Sequence, residues 1–385
     1  MNYSPIEEVA LTQKLIRIES TNPGAFEYKV SDFVYDFLAQ TGADVLRHEV
    51  KGGRCNIVAT LKGEQSGPRL VYICHQDTVP LGDGWHHDPL AAEIIDGRMY
   101  GRGSCDMKSG LAAGMLAFRS IAAMGKKLKH DFLFIASMDE EDIMIGADKL
   151  IADGIVRADD YVLDAEPTNG AIKVAHKGKT WFRLDAKGVA CHASTPEKGS
   201  DAVAALSEVI CAINRRLRAL PVHPELGPCA ATFGIINGGL NLNIVPGECY
   251  CTIDMRLTPP TTNEQSIRLV EEAIAEGCAN VPGTSCTYTV LAQRPAVEKD
   301  NDSYLLKMLR AATKDVTGEE APVDFFPGYT DTAVIAATTG NRNCMSYGPG
   351  DLFYAHKPDE FVELDDITRC TRVMTRLAES ILIDA

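Results

Sequence analysis

At 385 residues with a formal net charge of −15, the chain has room for two structural units and a large buried core, and its acidity excludes a basic face for nucleic acid or anionic membrane. Its twelve cysteines are scattered without a CxxC pair, residues 1–20 carry no hydrophobic signal-peptide core, and no window approaches about 18 uninterrupted apolar residues. Free thiols, a reducing cytoplasm and small-molecule partners are therefore expected, with neither nucleic acid nor membrane among them.

Ser4, Pro5 and Glu7 make a capping-box start for a helix, and Ile6, Val9, Leu15 and Ile18 follow at helical spacing until Thr21-Asn22-Pro23-Gly24 stops it. Val30, Phe33, Val34, Phe37 and Leu38 mark a second amphipathic helix ending at Gly42. Ile57, Ala59 and Leu61 alternate as in a half-buried strand, 70–74 is a continuous apolar strand, and Asp96-Gly97 reads as a hairpin turn between 91–95 and 98–100. A helix over 108–124, a strand over 132–137, a helix near 147–151 and a strand over 161–163 continue the alternation. That order predicts a mostly parallel mixed sheet with helices on both faces, its ligand sites at the carboxyl ends of the strands.

From Lys177 the order becomes strand (180–186), helix (201–217), strand (230–236), strand (248–257), helix (264–276), strand (286–291), the β-α-β-β-α-β sequence of a ferredoxin-like α+β unit. Helix and strand alternation resumes after Arg294. The expected organisation is a discontinuous catalytic domain over 1–176 and 293–385 with an inserted dimerisation or lid domain over 177–292.

Polar residues follow apolar strands at several of these strand ends. His75 and Asp77 close the 70–74 strand, where residues two apart point to one side, so an imidazole can meet a metal with a carboxylate behind it. A core histidine beside a turn-forming aspartate is the alternative. Asp106 sits in Gly101-Arg102-Gly103-Ser104-Cys105-Asp106-Met107-Lys108 at the mouth of a helix, as a ligand or as an N-cap. Asp139-Glu140-Glu141-Asp142 puts four successive carboxylates after the 132–137 strand, either a solvated loop or a site where one glutamate binds metal and the other stays free as a general base. Glu166 and His356 add a carboxylate and a second histidine. Two histidines with several carboxylates suit a pair of divalent ions, zinc first, with cobalt or manganese as alternatives. Gly101 and Gly103 do not make a dinucleotide loop, because the third glycine is missing and Asp106 would meet pyrophosphate with like charge.

These motifs, His-x-Asp, Gly-Arg-Gly-x-x-Asp-Met-Lys, Asp-Glu-Glu, Glu-Pro-Thr and a late His before Pro-x-Glu, occur in order along the chain. It thereby resembles the co-catalytic zinc hydrolases that include acetylornithine deacetylase, succinyl-diaminopimelate desuccinylase, aminoacylase and glutamate carboxypeptidase. The resemblance implies that Asp106 bridges two metals, with His75 and Glu166 on one and Glu141 and His356 on the other. It makes Glu140 the general base, has Asp77 orient His75, and implies a cis Asp106–Met107 peptide. His192, in Gly-Val-Ala-Cys-His-Ala-Ser-Thr-Pro, matches the residue that contacts the substrate carbonyl, while Asn243, Arg256 and Thr330 count as substrate-holding positions. Departures at Cys74, Ser109, Asp142 to Met144 and Tyr329 touch loops that shape the pocket and leave the metal set intact.

The implied reaction is hydrolysis of the amide of an N-acyl amino acid or short peptide with a free carboxylate. Glu140 takes a proton from a water shared by the two ions and returns it to the departing amine, His192 stabilises the oxyanion, and Arg256 offers a planar fork to the substrate carboxylate. A di- or carboxypeptidase, or a metal-binding module without catalysis, are the other readings. The resemblance also implies a homodimer in which His192 serves the partner's site.

Overall fold

The computed structural model describes residues 5–383, so Ser4, the expected cap of the first helix, lies outside the described residues. In chain order the elements are α1 (Pro5–Ile16), α2 (Tyr28–Ala39), β1 (Asp44–Lys51), β2 (Arg54–Leu61), β3 (Leu70–His75), β4 (Glu93–Ile95), β5 (Arg98–Tyr100), α3 (Lys108–Ala123), β6 (Phe132–Ser137), α4 (Ile145–Ala152), β7 (Tyr161–Pro167) and β8 (Ile172–His176). There follow β9 (Gly178–Lys187), α5 (Ala202–Arg218), β10 (Ala230–Gly238), β11 (Glu248–Leu257), α6 (Asn263–Asn280), β12 (Ser285–Arg294), α7 (Tyr304–Thr317), β13 (Val323–Phe326), α8 (Asp331–Thr339), β14 (Cys344–Gly348), β15 (Phe361–Glu363) and α9 (Leu364–Leu382). The chain divides into two compact units, one of Met1–Val174 with Lys299–Ala385, the other of Ala175–Glu298.

The first unit is built on an eight-stranded mixed sheet in the order β1-β2-β6-β3-β7-β14-β8-β13. Its centre is parallel, β3 pairing with β6 and β7, and β7 with β14. Period-two alternation divides each central strand between two faces. Leu70, Tyr72 and Cys74 of β3, Phe132 and Phe134 of β6, and Leu163 and Ala165 of β7 join residues of α1, α2, α3, α7 and α9 in one buried core. The intervening residues, among them His75, Asp164 and Glu166, face the other side, where Thr332 of α8 bonds to Asp164. Asp96 (φ 48°) and Gly97 (φ 81°) turn the β4–β5 hairpin, which β15 extends to a separate three-stranded sheet.

The second unit is a four-stranded antiparallel sheet, β10-β11-β9-β12, carrying α5 and α6 against a core of its own. This strand order on a β-α-β-β-α-β chain is the ferredoxin-like arrangement. Both helices start on side-chain caps: Asp201 accepts from Val203 N and Ala204 N, and Thr262 closes a capping box with Gln265.

Candidate metal and active site

Parallel strands bring their carboxyl ends to one edge of the sheet, and the candidate ligands of the first unit gather there. His75 ends β3, the 139–142 run follows β6, Glu166 lies near the end of β7, and His356 comes from the loop after β14. Asp106 precedes α3, and its peptide bond to Met107 is cis, as the resemblance implies. Two glycines grip β7 beside Glu166: a Cβ on Gly110 or Gly348 would stand 2.2 or 2.0 Å from the Ala165 carbonyl oxygen, so a side chain at either position would push the strand away.

Asp106 faces two ways. Its Oδ1 is 3.0 Å from His75 Nε2 and its Oδ2 3.4 Å from His356 Nε2. Glu166 Oε1 lies 3.7 Å from His75 Nε2, and Glu141 Oε2 lies 3.0 Å from His356 Nε2. The result is two triads sharing Asp106, His75-Asp106-Glu166 and Asp106-Glu141-His356, with the ligand atoms of each within 4.8 Å of one another. Glu140 belongs to neither triad.

The electrostatics show a demand for positive charge. Burial pushes Glu140 and Glu166 well above the usual carboxylate range, and neighbouring carboxylates add to the rise while His75 opposes it. Burial lowers the basicity of His75, but Asp106, Glu166 and Glu140 outweigh it and drive it well up. Hydrogen bonds to Asp106 and Glu141 raise His356 to about 11, and Asp106, despite its burial, is held far below its ordinary range by the two histidines.

Divalent ions fit this donor set. His75 Nδ1 is 2.9 Å from the carbonyl oxygen of Asp77, which can only accept, so Nδ1 carries the proton. In the neutral ring Nε2 then turns a lone pair toward the oxygens of Asp106 and Glu166, a conflict that a shared cation removes. Glu141 Oε1 is buried without a hydrogen-bond partner. Nitrogen and oxygen donors in this mixture suit a borderline divalent metal.

Asp77 meets His75 chiefly through its backbone. Its carbonyl orients His75, whereas carboxylate Oδ1 stands 3.7 Å from Nδ1, beyond hydrogen-bond distance. The carboxylate instead accepts from Glu140 N at 3.2 Å, Glu141 N at 3.2 Å and Asn22 Nδ2 at 2.9 Å. Burial raises its pKa to about 7, held back by His75 and Asn22. Asp139, in the left-handed region at φ 67°, makes the turn that aims both N–H groups at Asp77. Arg54 locks that turn from behind, with bonds of 2.8 and 2.6 Å to Glu27 and 2.9 Å to Asp139. Asn22, Glu27 and Arg54 escape sequence reasoning, since Asn22 reads only as part of a helix stop and the other two lie in no motif. Glu360 and Arg102 do lie in motifs, but nothing there says what they bind.

Thr330, expected to hold substrate, is buried, caps α8 and shares its hydroxyl with Thr332 at 2.8 Å. In the second unit His192 and Asn243 come together: His192 bridges Ile244, and Ala193 N donates to the Asn243 carbonyl at 3.0 Å. Ser194 N donates to His192 Nδ1 at 3.2 Å, so the neutral ring carries its hydrogen on Nε2. Their loops meet where Gly188 N bonds to the Gly247 carbonyl, at the Glu248 end of β11. Arg256 lies at the other end of that strand, about 26 Å away at roughly 3.3 Å per residue, with its Nε and Nη2 on Asp254 at 3.1 and 2.9 Å.

Comparison with known proteins agrees with this architecture. Residues 71–380 match the model of peptidase family M20/M25/M40. The chain is 30% identical over 334 residues to acetylornithine deacetylase of Proteus mirabilis (strain HI4320), covering 85% of this chain and 83% of that protein. A probable succinyl-diaminopimelate desuccinylase of Staphylococcus epidermidis is 24% identical over 387 residues, covering 93% and 94%. The fold is shared with the crystal structure of a tripeptidase from Staphylococcus aureus subsp. aureus Mu50, at a TM-score of 0.82, 20% identity and 98% coverage of each chain. A match of this extent makes the chain a member of peptidase family M20/M25/M40, and so a hydrolase of that family.

Proposed function

We propose that the protein hydrolyses the amide bond of an N-acyl amino acid or short peptide with a free carboxylate, using two divalent ions, zinc first, with cobalt or manganese as alternatives. The observation that carries this reading is the pair of triads sharing Asp106 with Glu140 left outside both. His75 and Glu166 would hold one ion, Glu141 and His356 the other, and Asp106 both. The ions supply Lewis acidity to a water and to the scissile carbonyl. Glu140 accepts the proton of the attacking water and passes it to the departing amine, a task open to a buried carboxylate that lies outside both triads. Asp77 and Arg54 keep Glu140 at its post through the backbone.

His192 donates from Nε2 to the developing oxyanion with Asn243 beside it, and Arg256 exchanges Asp254 for the substrate carboxylate. The distance between these two groups along β11 supports a homodimer, because a site that uses both draws them from two copies of the chain. The twelve free cysteines support a cytoplasmic location. No helix among the described residues is long and apolar enough to cross a membrane.

Membership of a peptidase family favours one second reading, a di- or carboxypeptidase. A hydrolysis screen pairing N-acetyl, N-succinyl and N-aminoacyl amino acids, with and without chelator, tests both. Cleavage of the acylated compounds, abolished by chelation and restored by zinc, cobalt or manganese, is expected. Cleavage of the aminoacyl compounds alone selects the peptidase. Two ions bound without turnover would leave a binding module, and activity that survives chelation would refute the metal assignment.

A further inference from the structure

We infer that Glu360, clamped by Arg102, is a positioning residue that holds the backbone N–H groups of Cys105 and Asp106 and so keeps both Asp106 oxygens turned to the ions. This rests on the two-ion reading above. Asp106 immediately precedes Met107, the N-cap of α3, which makes no side-chain cap bond. The N–H groups of Cys105 and of Asp106 itself donate to Glu360 Oε1 at 2.8 and 3.0 Å. On the backbone so held, Asp106 turns Oδ1 to His75 and Oδ2 to His356.

Glu360 is held in turn. Its Oε2 accepts from Arg102 Nη1 at 2.6 Å, while Arg102 Nη2 donates to the Leu81 carbonyl at 3.1 Å and Nη1 reaches the Lys357 carbonyl at 3.4 Å. Gly101 N adds a bond to the Glu360 carbonyl at 2.9 Å. The clamp therefore joins the Asp106 loop to the loop that carries His356, two ligands of one triad that are remote in sequence. Arg102 is 3% and Glu360 1% exposed. A buried ion pair of this kind adds little net stability over an apolar pair, so folding alone does not account for it. Glu360 itself lies in neither triad.

Glu360→Gln keeps the shape but replaces one acceptor oxygen with an amide that must face either Arg102 or the two N–H groups. Zinc affinity would be measured by competition with a chromophoric chelator, beside melting curves of the metal-free and zinc-loaded protein. The expected result is zinc affinity lowered roughly 10–100-fold for at least one equivalent, with a smaller zinc-induced rise in melting temperature. Unchanged zinc affinity, with both melting temperatures lowered alike, would make the pair merely structural and overturn the inference. Should Glu360→Gln fail to fold, Glu360→Asp, one methylene too short to span its three donors, is read the same way. Glu363→Gln, whose exposed partner is Arg98, should leave zinc affinity unchanged, and an equal loss there would also overturn the inference. A wild-type protein that takes up no zinc would remove the two-ion reading and this inference with it. Binding of two equivalents by both wild type and Glu360→Gln, with the same zinc affinity for each equivalent, would remove this inference alone.

Discussion

Replacing Asp77 with asparagine isolates the carboxylate that holds the Glu140–Glu141 turn. The native side chain accepts one bond on Oδ1, from Glu140 N, and two on Oδ2, from Glu141 N and Asn22 Nδ2. Asparagine offers one accepting oxygen and an amide that only donates, so neither orientation serves both sides. In the better one the amide faces Glu140 N, and in the other two donors lose their acceptor. Flipping Asn22 gives no relief, because its Nδ2 also donates to Asp139 Oδ1 at 3.1 Å. At least one buried donor is left unpaired, a loss of about 1–3 kcal/mol. For a domain of this size each kcal/mol lowers the melting temperature by roughly 2–4 °C. Turnover should fall further than stability, since a displacement of Glu140 by about 1 Å is enough for a loss on the order of 100-fold. Urea unfolding of the metal-free protein, zinc content and turnover are measured together. The ion held by His75 should be kept, because the Asp77 carbonyl that orients His75 is unchanged, and any zinc lost should come from the ion held by Glu141. Wild-type stability combined with lost zinc would refute the reasoning and return the carboxylate to His75.

Glu140→Gln should abolish turnover while two ions remain bound, because the proton acceptor is removed and no proposed ligand is touched. Loss of one ion would show that Glu140 and Glu141 have exchanged roles. Asp106→Ala should lower metal content at both triads, and full retention in elemental analysis would count against a bridging carboxylate. Mixing His192→Ala protein with Glu140→Gln protein under conditions of subunit exchange should restore partial activity, since one site of the heterodimer combines an intact Glu140 with the partner's His192. A mixture that stays inactive would mean that each chain completes its own site.

Period and punctuation along the chain carried much of the architecture. The unbroken apolar run of β3 announces a strand covered on both faces, and the β-α-β-β-α-β order of the second unit announces its ferredoxin-like sheet, because side-chain periodicity follows directly from backbone geometry. The same logic set His75, Asp106, Glu141, Glu166 and His356 at strand ends and adjoining loops, and folding brings these five into two triads. Strand β1 escaped notice because it is a largely exposed edge strand whose polar residues interrupt any apolar pattern.

Direction was beyond the sequence. Two residues apart on a strand, Asp77 could equally have turned its carboxylate to His75 or to the next loop, and only the placement of Glu140 N, Glu141 N and Asn22 decided between them. Arg54 with Glu27, and Arg102 with Glu360, pair across long stretches of chain, so no local spacing encodes them. Thr330 is turned inward by the helix it caps, and Arg256 is parted from His192 by the length of a strand. A sequence states which groups a segment carries. Which donor each acceptor meets depends on the approach of segments remote in sequence, and that belongs to the tertiary structure alone.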